Sequence, residues 1–74
     1  MTINEMLNRL SAKTRKFYGD ERAMELLAMP KAQLMSVYSH HYQMFNLAGQ
    51  NAVSEIMRTV DAYRVTFASL RAAQ

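Results

Sequence analysis

The stretch Asn51–Ala72, NAVSEIMRTVDAYRVTFASLRA, decides the fold class. Its apolar residues Val53, Ile56, Val60, Tyr63, Phe67 and Leu70 recur in steps of three and four, the spacing that lines one face of an α-helix. The seam runs close to three heptads of an a/d pattern. Beside it stand Met57, Thr59, Arg64, Thr66 and Arg71, so a parallel copy would bring arginines together with no acidic counterpart. The seam is therefore expected to dock on the chain's own helices or on an antiparallel copy. Asn51 is the expected cap of this helix, over about 51–72. Glu55–Arg58 and Asp61–Arg64 are expected as outer-face pairs, worth roughly 0.2–0.5 kcal/mol each.

Working outward, the preceding segment reads as a helix from about Pro30 to Ala48, stopped by Gly49. Proline suits its first position. Leu34, Val37, Tyr38, His41, Met44, Phe45 and Ala48 form its apolar arc, extended by Met35 and Tyr42. The opposite strip, Gln33, Ser36, Ser39, His40, Gln43 and Asn46, is polar but neutral. Before Pro30, Ala23, Met24, Leu27 and Ala28 make the apolar side of a short helix over about 21–29, capped by Asp20. The first helix spans about 3–18. Thr2 and Glu5 form its capping box, and Ile3, Met6, Leu7, Leu10, Thr14 and Phe17 share one face. Gly19 suits the left-handed position after its end. No useful length alternates with period two, and no Asn-Gly or Asp-Gly hairpin signal occurs. The expectation is a single all-α domain over 1–74, a small bundle of three to four helices.

The chain of 74 residues is half hydrophobic and one-fifth charged, enough apolar material to fold. A core this small rarely supplies more than about 3–5 kcal/mol. With no cysteine there is no disulfide and no thiolate zinc site, so oligomerisation is the remaining common support, and a homodimer is expected. The absence of cysteine fits a reducing cytoplasm, and the first residues lack the basic-then-apolar pattern of a signal peptide. From Ala32 to Ser54 no side chain is formally charged, with His neutral. Its ten polar residues nevertheless exclude a membrane span.

Catalytic and metal chemistry find little purchase. His40 and His41 diverge by about 100° on a helix, and their i+4 neighbours are Met44 and Phe45, so no metal site is expected. Ser36 and His40 have nucleophile–base spacing but no acid to orient the imidazole. Glu21 and Glu25 are ordinary surface acids, and no glycine-rich phosphate loop is present. A helix-turn-helix on Gly49 fails in register, because Glu55 and Arg58 stand where apolar packing residues belong. No enzyme activity and no cofactor are expected.

Two features favour protein binding. Met24, Met29 and Met35 cluster around Pro30, where adaptable thioethers suit a binding surface. The neutral strip Ser36, His40 and Gln43 resembles the charge-depleted centre of an interface. The leading expectation is a cytoplasmic, non-enzymatic regulator, adaptor or inhibitor that docks a helical surface onto a partner protein; by analogy, such compact chains are common in bacteria and phages. The net charge of +3 leaves an alternative, a basic nucleic-acid-binding regulator using Arg9, Lys13, Lys16, Arg58 and Arg64.

Overall fold

The computed structural model describes residues 2–72, with side chains described over 2–63. Five helices follow one another among these residues, with no strand: α1 (Ile3–Arg9), α2 (Ala12–Tyr18), α3 (Asp20–Leu27), α4 (Lys31–Gln43) and α5 (Leu47–Ala72). The all-α expectation stands; the count of three to four helices does not.

The first expected helix, 3–18, is two helices broken at Leu10–Ser11. Leu10 and Ser11 take extended backbone conformations, and the Ser11 hydroxyl caps α2 by accepting from the Thr14 N–H at 3.3 Å. Serine competes well for such a cap, and here a distant group holds it there. The Glu55 carboxylate accepts from the Ser11 N–H at 2.5 Å and from its hydroxyl at 2.9 Å. The capping box on α1 forms in its main bond, Glu5 N–H to the Thr2 hydroxyl at 3.2 Å. The Glu5 carboxylate meets the Thr2 hydroxyl rather than its amide.

Gly19 turns the chain from α2 into α3 with φ +81°. It occupies the cap position of α3, so Asp20 is the first helical residue rather than the cap. Asp20 instead receives Arg15, through contacts of 3.1 and 3.0 Å. Helix α3 ends at Leu27, short of the expected 29, and Pro30 stands just outside α4 with an extended ψ of 151°.

The largest departure concerns Gly49. It does not stop a helix; it lies buried in the first turn of α5. Helix α4 ends at Gln43, and α5 begins at Leu47, ahead of the expected Asn51. Asn46 supplies the cap, its Oδ1 accepting from the Gly49 N–H at 3.0 Å. Asn51 is an exposed helical residue. A Cβ on Gly49 would fall 2.5 Å from Cγ and 2.7 Å from Cε1 of His41, with Nδ1 nearer still. Glycine is therefore required here for close approach of α4 to α5, not for turning.

The core gathers Met6, Leu7 and Leu10 from α1 and its end, Ala23, Leu26 and Leu27 from α3, Leu34 from α4, and Ile56 and Val60 from α5. Helix α5 is the common support: α4 packs along it, while α1, α2 and α3 also touch it. Its seam is buried at Val53, Ile56 and Val60, with Tyr63 packed at the edge. Phe67, Leu70, Arg64 and Arg71 lie outside the described side chains. Glu55 turns to α2 rather than pairing with Arg58, and Asp61 meets Lys31 at 3.4 Å, while the expected Asp61–Arg64 pair lies outside the described side chains.

Candidate functional site

The corner between α4 and α5 follows from how α4 ends. The Phe45 N–H donates to the Tyr42 carbonyl at 3.1 Å, and the Asn46 N–H to the His41 carbonyl at 2.9 Å. These are the reversal bonds of a left-handed C-cap, a position that usually holds glycine. Phe45 occupies it, with φ +56°, alone among the described non-glycine residues in a positive φ. For an L side chain that conformation costs about 1–2 kcal/mol. Asn46 then caps α5 at once, which leaves three residues between the two helices.

Such a tight reversal throws side chains outward. Phe45 is 90% exposed and Leu47 71%, with Met44 and Tyr42 also largely in solvent. Tyr42, Gln43, Phe45, Leu47 and Gln50 line a shallow depression of about 400 Å³. The apolar arc expected on 30–48 is thus overturned at Met44, Phe45 and Ala48, which leave the core because α4 stops before them. The one signal that pointed to this corner was Asn46, a good capping residue three positions before Gly49.

Of the residues expected to bind a partner, Met24 and Met29 pack against the core, and only Met35 of the three methionines is exposed. The cluster around Pro30 therefore makes no continuous surface; the half-buried Met24 and Met29 thioethers fill space at the edge of the core. Ser36, His40 and Gln43 are all exposed. The Ser36 hydroxyl donates back to the Ala32 carbonyl at 3.3 Å. Ser36 and His40 edge an open depression beside Tyr18, while Gln43 belongs to the corner.

His41 points inward, as expected for its face. Its Nε2 shares a 2.8 Å hydrogen bond with the Tyr18 hydroxyl, and Phe17 lies edge-on at 5.9 Å. Burial, with a smaller contribution from the His40 charge, holds its pKa below the ordinary imidazole value. Burial likewise raises the Tyr18 phenol, against a small opposing effect of Arg22.

A second surface lies between α2 and α5. Three of the five cations expected to contact nucleic acid, Lys13, Lys16 and Arg58, border one groove of about 360 Å³. Arg9 is not part of its lining, and Arg64 lies outside the described side chains. Phe17, Ala48 and Ala52 give the groove an apolar lining. Glu55 sits in it, held by Ser11 and by the hydroxyl of Thr14. Burial pushes this carboxyl up, but the Thr14 and Ser11 hydrogen bonds and the Arg58 charge outweigh it and hold the pKa below the usual carboxylate value. Sequence periodicity missed this role of Glu55.

Among the described residues no three His, Asp or Glu side chains gather as a metal site, and no helix is long and apolar enough to cross a membrane. No known protein family, curated protein or solved structure matches the chain.

Proposed function

We propose that this chain is a non-enzymatic protein-docking module, a regulator or adaptor that acts through a helical surface and pairs with a second copy of itself at the α4–α5 corner. The observation that carries the reading is the corner itself: Tyr42, Phe45 and Leu47 stand exposed around one depression, and Met44 is exposed in the same turn, in a segment without ionised groups. Large contiguous apolar surface on a small protein marks an interaction site. A twofold interface sets a patch against its own copy, so a patch with net charge repels itself and a neutral one does not. Backbone strain also argues for function, because an exposed Phe45 held at φ +56° adds nothing to the monomer.

Sedimentation of the wild type, Phe45→Gly and Leu47→Glu tests the reading. Leu47 opens α5, where an acidic side chain favours the helix, so the second variant keeps its fold. The wild type is expected to dimerise at micromolar to millimolar concentration, and both variants to remain monomeric with unchanged helicity. A monomeric wild type across that range, or dimers in both variants, overturns the proposal. The alternative, a nucleic-acid regulator, draws on Lys13, Lys16 and Arg58 bordering one groove, but the Glu55 carboxylate among them opposes a phosphate chain.

A further inference from the structure

We propose that the groove between α2 and α5 receives an acidic, amphipathic segment of a partner protein. The inference starts from where the charges are satisfied. Asp20 pairs with Arg15, Glu25 with Arg22 and Asp61 with Lys31. Among the described residues, Lys13, Lys16 and Arg58 form no ion pair, and all three border the same groove. The one carboxylate between them, Glu55, is already committed: the Ser11 N–H and hydroxyl and the Thr14 hydroxyl all donate to it. Three cations against one anion leave the rim positive, which complements an acidic ligand.

The lining decides what kind of acidic ligand. Phe17 is 40% exposed, and its ring is fixed edge-on by Tyr18 at 4.8 Å and by His41. Ala48 and Ala52 also line the groove, one turn apart on α5, and their short side chains leave it room. A volume of about 360 Å³ with these walls suits aliphatic side chains. An amphipathic peptide supplies them, and it can place its carboxylates over Lys13, Lys16 and Arg58 while clearing Glu55. A nucleic-acid strand could stack a base on Phe17, but it brings an uninterrupted row of phosphates past the fixed Glu55 carboxylate. The groove and the corner draw on different residues, so this inference stands apart from self-pairing.

The test is fluorescence anisotropy with three labelled probes: a short peptide with leucines on one helical face and glutamates on the other, a polyglutamate peptide, and a single-stranded oligonucleotide. The amphipathic peptide is expected to bind tightest, with affinity falling as salt rises. Lys13→Glu/Lys16→Glu is expected to weaken it by about 30-fold or more, because each exposed attraction becomes a repulsion. Ala48→Tyr, at an exposed position, is expected to weaken the leucine-bearing peptide while leaving polyglutamate unchanged. Circular dichroism and sedimentation of the same variants, expected to match wild type, separate loss of the groove from loss of fold or of self-pairing. Absence of peptide binding at low salt overturns the proposal. So does tighter binding of the oligonucleotide, which assigns the groove to nucleic acid, or equal binding of polyglutamate, which removes the role of the apolar lining.

Discussion

Replacing Gly49 by alanine puts the packing of α4 on α5 to a sharp test. In an ordinary helix the change is favourable by about 1 kcal/mol, since alanine loses less backbone freedom. Here the new methyl would meet Cγ and Cε1 of His41 at 2.5 and 2.7 Å, about 1 Å inside ordinary carbon contact. Cγ is the root of the ring, so a small rotation does not clear it. The ring must swing away, breaking its 2.8 Å hydrogen bond to Tyr18 and its contact with Phe17. Overpacking costs about 1–3 kcal/mol and the hydrogen bond about 1 kcal/mol, against the 1 kcal/mol gained. The net loss is about 2 kcal/mol, which lowers Tm by roughly 8–16 °C in a domain of this size. Thermal unfolding of Gly49→Ala, His41→Ala and the double variant isolates the clash. With the ring removed, Gly49→Ala is expected to stabilise, so the effect of the substitution reverses sign. A Tm increase of the same size in both backgrounds would refute the close approach.

Other outcomes follow from the same contacts. Phe45→Gly is expected to leave the isolated chain equally stable or up to about 1 kcal/mol more stable in urea, because relief of the left-handed strain outweighs glycine's entropy; a clear loss of stability would show that Phe45 packs within the monomer. Glu55→Ala is expected to cost about 1–3 kcal/mol by leaving the buried Thr14 hydroxyl and the start of α2 without their acceptor, read by denaturant unfolding. Because the folded pKa of Glu55 lies below its unfolded value, its contribution is complete above about pH 5 and lost as pH falls through the folded value; the Tm gap between wild type and Glu55→Gln should therefore narrow on acidification. His41 also has a lowered folded pKa, so its unfolded form takes the proton first: wild-type Tm is expected to decline from about pH 7 to about pH 5, and His41→Gln to lose that decline. An undiminished decline in His41→Gln would assign the titration elsewhere.

The helical class and the buried face of α5 were legible because both depend on local periodicity, and Val53, Ile56 and Val60 are buried where their spacing requires. The capping box at Thr2 and Glu5 was legible for the same reason, its partners being one turn apart. The neutral strip on α4 was only partly so. Exposed Ser36, His40 and Gln43 follow from helical phase, but the exposed corner beyond them depends on where α4 stops. Its strongest local cue, Gly49, points to the wrong residue, because glycine marks helix ends and close approaches alike.

What the sequence determined by itself was the helical class and the buried seam of α5, together with a charge-free middle and a modest excess of cations. Tertiary structure decided where the helices begin and end. Ser11 becomes a cap because Glu55, 44 residues away along the chain, lies against it. Gly49 stays helical because the His41 ring takes the space a side chain would fill. Lys13, Lys16 and Arg58 share a groove because α2 packs on α5. Each of these depends on a contact between segments far apart in the chain, and local propensities of about a kcal/mol or less yield to such contacts once the core closes.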